Sequence, residues 1–215
     1  KEVFDNGGFD IVIGNPPYVS TKQINKLYRD YFWDKYSELL IAEMDLYEIF
    51  LYDNVKYKLK DGGILSFITP NSYYTSKSFE NLRKYLIDNT HIIEIIDFPY
   101  RFFPFEDVNT ETSISILKKI ELTANFNTKV SIASKENINK NLLIDNNVKI
   151  NEKEFSQSNL KSFFDNKIII NQTDVLIKLL KNEKLFGDYL ELHKGWMSIP
   201  TKTNINGQVI DKGIF

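Results

Sequence analysis

The chain has 215 residues, with 42% hydrophobic and 14% aromatic side chains, no cysteine, and 27 Lys and Arg against 29 Asp and Glu. That is enough material for one large domain, or one and part of a second, with a real core. The composition excludes a disulfide scaffold, a thiolate zinc site and a disordered chain. A formal charge of -2 gives no global field to draw in a polyanion, so any nucleic-acid contact must rest on a local basic patch. Two histidines, His91 and His193, leave little for a metal centre. Apolar runs such as Ile64 to Ile68 fall far short of the roughly 20 residues of a membrane-spanning helix, and a cytoplasmic location is the expectation. The chain opens on Lys1, with neither a methionine nor a signal-peptide pattern, and reads as part of a longer protein.

In chain order, Phe9 to Gly14 is apolar on both faces and predicts a strand buried in a parallel sheet, stopped by Asn15-Pro16-Pro17-Tyr18. Helical spacing then follows twice, through Ile24, Leu27, Tyr28 and Tyr31, and again from Leu46 to Leu59, with a break between Lys35 and Glu43. Asp61-Gly62-Gly63 reads as a turn, Ile64 to Thr69 as a second strand closed by Pro70, and Ser78 to Asp88 as a helix. Ile92 to Asp97 and Ser113 to Leu117 are the third and fourth strands, separated by an aromatic loop from Phe98 to Val108. Strands alternating with helices predict a parallel α/β sheet. Residues 135–154, dense in Asn, Lys and Asp, read as a connector, and Thr173 to Asn182 as a helix.

Ligands of open α/β sheets bind beyond the carboxyl ends of the strands, where Asn15-Pro16-Pro17-Tyr18 lies. Asn15 brings an amide oxygen, and the two prolines stiffen the backbone and aim its carbonyls. Tyr18 adds a flat aromatic face, which completes a receptor for a planar molecule bearing an amino group. Two hydrogen bonds accepted from such an amine favour a pyramidal nitrogen with a localised lone pair, aimed at an electrophile. A sulfonium methyl is an electrophile that needs no prior general base.

The strand with its Asn-Pro-Pro-Tyr end resembles the catalytic motif of gamma-class N6-adenine DNA methyltransferases, of type II or IIG restriction-modification enzymes. The resemblance continues through Asp45 to Phe50, Leu59 to Pro70, Arg83 with Leu86, Ile95 to Phe98 and Phe102 to Val108. His193 to Met197 and Thr201 to Thr203 are similar to the approach to a target-recognition domain. It implies an α/β fold: the C-terminal half of a Rossmann-like class I methyltransferase sheet (strands four to seven) with helices on both faces, over residues 1–120. A connector over 121–185 and the start of the recognition domain over 186–215 would follow.

By the same resemblance, Asn15 and the Pro16 carbonyl hold the target N6 amine, and Tyr18 stacks on a flipped adenine. Phe103, with Phe105 in reserve, contacts the base from its other side. Pro17, Asn15 and Asp45 border the methyl donor, S-adenosylmethionine. Asp45 equally suits an N-cap, and the phenylalanines equally suit a core. Lys77, Lys194, Trp196 and Lys202 are the candidate DNA contacts, although a lysine on a solvated face needs no such role and Trp196 suits a packing anchor.

The implied partners are double-stranded DNA with a flipped adenine and the N-terminal half of the same protein. The glycine loop that holds the donor's methionine part is absent, since Gly7-Gly8 precedes a strand instead of following one, so these residues alone are expected to be inactive. Mg would be implied only by a nuclease domain elsewhere. The motif also occurs in protein-glutamine and RNA-guanine methyltransferases, and a non-catalytic DNA specificity or scaffold subunit is a third reading.

Overall fold

The computed structural model describes residues 2–41, 45–98, 110–120, 125–133, 150–161 and 164–170, with the backbone of four short strands beyond residue 190. The chain forms two compact units, Lys1–Ile170 and Asn171–Phe215. In the first, a single turn α1 (Glu2–Asp5) leads into β1 (Phe9–Gly14), α2 (Lys26–Lys35), α3 (Leu46–Asp53) and β2 (Leu59–Pro70). There follow α4 (Glu80–Asn89), β3 (Thr90–Phe98), β4 (Thr112–Lys119), β5 (Asn127–Ala133), β6 (Ile150–Ser156) and α5 (Ser158–Lys161). The second unit shows two antiparallel pairs, β7 (Glu191–His193) with β8 (Trp196–Ser198) and β9 (Asn204–Ile205) with β10 (Gln208–Val209).

Six strands make one sheet in the order β1-β2-β4-β3-β5-β6. The expected parallel sheet is corrected to a mixed one: β1 and β2 run parallel, as do β3 and β5, while β4 is antiparallel to both its neighbours. The class of architecture, mixed α/β, stands as expected.

Residues 127–133, expected to be a connector, form β5 instead, with Thr128, Val130, Ser131 and Ala133 buried. Asp61-Gly62-Gly63 is a bulge within β2, not a turn before it. Between the pairs Phe9 with Leu59 and Ile11 with Ile64 the register shifts, and Gly62 takes φ +80 to absorb the extra residues. A Cβ on Gly63 would stand 2.8 Å from the Phe9 carbonyl oxygen, so this glycine lets the two backbones approach.

The helix expected from Ser78 begins as a tight 3-10 turn, Lys77–Phe79, and becomes α4 at Glu80. It buries Leu82, Leu86 and Ile87, while α3 buries Tyr47, Leu51 and Tyr52. Arg83 is fully buried on α4. Its guanidinium donates to the carbonyls of Tyr73 (2.8 Å), Ser76 (2.6 Å) and Asp165 (2.9 and 3.2 Å). Asp165 and Asn166 adopt left-handed backbone, φ 56 and 52, which turns the Asp165 carbonyl toward it. The helix expected over Thr173 to Asn182 and most of the aromatic loop lie outside the described residues.

Candidate active site at the strand ends

β1 stops at Gly14 because its side-chain position faces the Phe67 ring, where a Cβ would come within 3.0 Å, and because two prolines follow. Beyond it Asn15 is exposed, Pro16 is buried and Pro17 is exposed. Among the described residues the Asn15 amide has no hydrogen-bond partner. The buried Pro16 anchors the segment and the exposed amide stands at the strand's carboxyl end.

The chain then returns on itself. Ser20 bridges to Asp45, and the Leu46 N–H donates to the Val19 carbonyl at 2.9 Å, so the start of α3 is sewn to the segment after Tyr18. Asp45 occupies the N-cap position of α3 but makes no side-chain capping hydrogen bond. Tyr18 is half-buried. Its hydroxyl donates to the Ile68 carbonyl on β2 at 3.0 Å, and its ring meets Tyr47 edge-on, with centroids 6.2 Å apart and planes at 78°. Burial raises the Tyr18 phenol above its ordinary pKa, so it is un-ionised at neutral pH.

Two features escaped the sequence reading. Glu48, one turn into α3, is 1% exposed with its Oε1 unpartnered among the described residues. Burial first, and the neighbouring Asp45 charge second, push its carboxyl up to about 9 against the opposing pull of Arg83. A Glu between two hydrophobic positions of a buried helix face was the available signal. At the same rim Asn71, directly after β2, donates through Nδ2 to Asp97 at 3.1 Å and to Glu111 at 3.4 Å. Burial raises the Asp97 carboxyl and the Asn71 hydrogen bond opposes that shift.

Of the other expected site residues, Phe103, Phe105, Lys194 and Lys202 lie outside the described residues, and Trp196 is placed only as backbone of β8. Lys77 is exposed and ion-paired with Glu80 and with Asp165 at 3.0 Å. A phosphate would have to compete with both carboxylates for it. Gly8, at φ +121, has its Cβ position 2.4 Å from the Lys58 carbonyl oxygen. Its need for glycine comes from packing against the start of β2.

The mixed α/β sheet that carries these strand ends has a counterpart among proteins of known structure. The modification subunit assigned to a type I restriction enzyme from Vibrio vulnificus YJ016 shares this fold, with a TM-score of 0.51 at 13% identity over 80% of this chain and 39% of that one. Residues 1–103 match the family described as Eco57I restriction-modification methylase. The type II methyltransferase M.HincII of Haemophilus influenzae is 36% identical over 100 residues, 44% of this chain and 19% of that protein. The type II restriction enzyme and methyltransferase RM.Eco57I of Escherichia coli is 30% identical over 117 residues, 53% of this chain and 11% of that protein. Residues 1–103 are thus similar to the Eco57I restriction-modification methylase family, and the chain spans about a fifth or less of the length of these two relatives.

Proposed function

We propose that this chain supplies the target-base side of an S-adenosylmethionine-dependent methyltransferase acting on N6 of adenine in double-stranded DNA within a restriction-modification system. The observation that carries the reading is the strand end itself: an exposed Asn15 amide, without a hydrogen-bond partner among the described residues, three residues from a Tyr18 ring tethered to Ile68. The names of the relatives, type II methyltransferases, support it. On this reading the Asn15 amide oxygen and the Pro16 carbonyl accept from the amine of a flipped adenine, while the Tyr18 face replaces part of the lost base stacking. Holding both N–H groups localises the nitrogen lone pair and aims it at the donor. Phe103 closes the base from the other side.

The donor supplies an electrophilic methyl group. Of the described residues, the exposed Pro17 beside Asn15, with Asp45 at the start of α3, suits its methyl end, whereas no strand-glycine-helix cradle for its methionine part occurs among them. The remaining cofactor contacts belong to the N-terminal half of the protein, docked on β1. That strand is an edge of the sheet and leaves Phe9, Ile11 and Ile13 uncovered. Residues from 186 onward would begin the target-recognition domain, with Lys194, Trp196 and Lys202 facing DNA.

The test uses the full-length protein. It is incubated with S-adenosylmethionine and unmethylated DNA, the DNA is digested to nucleosides, and N6-methyladenine is measured beside the Asn15→Ala variant. Formation of N6-methyladenine that Asn15→Ala abolishes is the expected result; label entering protein or RNA instead would overturn the substrate, and donor binding with no transfer would mark a scaffold subunit.

A further inference from the structure

The hydrogen bond from Tyr18 to Ile68 fixes the tip of the phenol but not the ring. A tyrosine held at Cβ and at its oxygen still spins about the axis joining them, because the torsion next to an aromatic ring is broad. A base stacked on that ring needs its plane fixed as well. The contact that blocks the spin is the Tyr47 ring, which meets Tyr18 at 78°. Tyr47 is itself locked: it is 1% exposed, stacks on Phe79 with centroids 5.5 Å apart and planes at 24°, and shares a 3.1 Å hydrogen bond with the Ser72 hydroxyl. The bracing continues inward. Tyr73, adjacent to Tyr47, shares a hydrogen bond with Ser115 (2.6 Å), and Tyr74 with Ser113 (2.7 Å) and Ser115 (3.0 Å), both serines lying on the central strand β4.

We propose that Tyr47, held by Ser72 and Phe79, is a positioning residue that sets the plane of the Tyr18 ring and thereby the plane in which the target base lies against Asn15. The inference rests on the reading of Tyr18 as the stacking face and adds to it the residues that orient that face. Tyr47 touches no substrate; it acts through Tyr18. Ser72 matters because its hydroxyl fixes the tip of the Tyr47 phenol, while the stacked Phe79 ring holds the plane of the Tyr47 ring.

The experiment uses the full-length protein and a duplex carrying the site mapped by the methylation assay, with 2-aminopurine in place of the target adenine. Emission of the flipped 2-aminopurine is quenched by stacking on Tyr18, and single-turnover methylation is followed on the unsubstituted duplex. Tyr47→Leu is expected to raise the emission and slow the methyl-transfer step about tenfold, with DNA affinity within about twofold of the parent. Tyr47→Phe and Ser72→Ala, which keep the ring and lose only its tether, should match each other and fall between Tyr47→Leu and the parent in both readouts. Rate and emission that stay at parental values in Tyr47→Leu would overturn the proposal, as would a rate loss with unchanged emission. If Tyr47→Leu does not fold, unchanged emission in both tether variants overturns it equally. Tyr18→Ala separates the two readings: unchanged emission in that variant refutes the stacking role of Tyr18 itself.

Discussion

β1 and β2 are paired neighbours, each with a run of apolar residues, yet their surroundings differ. On β2 the face with Leu65 (0% exposed) and Phe67 (4%) is buried and the face with Ile64, Ser66 and Ile68 is half-buried, whereas on β1 Ile11 is 59% and Ile13 78% exposed. A strand with apolar residues on both faces is a strand made to be covered on both. One face of β2 is fully covered and the other partly, and the proposed cover of β1 is the N-terminal half of the protein. On the proposed reading the strand end sits on a seam: Asn15 belongs to the exposed strand, while the residues that brace Tyr18 belong to the buried centre.

The sharpest way to probe that seam is at Asn15. In the full-length protein Asn15→Ala should lower methyl transfer by about 10²–10³-fold, comparable to loss of one preorganised polar group, with stability unchanged; a loss below about tenfold would separate β1's end from the chemistry. In the centre, Leu65→Ala should cost about 2–5 kcal/mol in urea unfolding, the range for a buried leucine. Gly8→Ala tests the join between the two strands. With its Cβ position 2.4 Å from a carbonyl and φ at +121, it should cost about 1–3 kcal/mol, and a neutral result would mean that β1 enters the sheet less closely than described.

Glu48 gives a pH signature of the centre. Its folded pKa, about 9, lies above its ordinary value, so the folded state holds a proton that the unfolded chain releases. Its contribution to stability is therefore greatest below the ordinary carboxylate pKa and declines until the pH passes about 9. Glu48→Gln keeps the uncharged form at every pH, and its melting temperature relative to the parent should climb across that window. A constant difference between the two would show that Glu48 is not titrating there. The smallest effect belongs to the edge: in the 215-residue chain Ile13→Asp should change stability by no more than about 0.5 kcal/mol, while in the full-length protein it should be as damaging as a charge placed in the core. Equal damage in both would show that β1 is already covered.

The four strands that carry the site were legible because apolar runs of that kind have few other uses. The path between them was less so. Gly62 marks a bulge and Gly8 a close approach, but in sequence both look like turn punctuation, since positive φ serves each purpose alike. β5 hid because its buried positions include Thr128 and Ser131 as well as Val130, a pattern that an Asn- and Lys-rich surrounding easily masks. The reversed direction of β4 was invisible, because strand polarity depends on how the aromatic loop returns and not on the letters of the strand. In the proposed site, Asn15 and Tyr18 are legible from their motif. Ser72 and Tyr47 are not, since a contact between residues 47 and 72 exists only once α3 and the turn after β2 are folded together.

Arg83 ties the segment of Tyr73 and Ser76 to the distant Asp165 through hydrogen bonds to carbonyl oxygens alone. A carbonyl is the same whatever side chain is attached to it, so the letters at positions 73, 76 and 165 are free of this particular constraint while the backbone course through them is not. Over evolutionary time such a joint preserves a trajectory and lets its spelling drift.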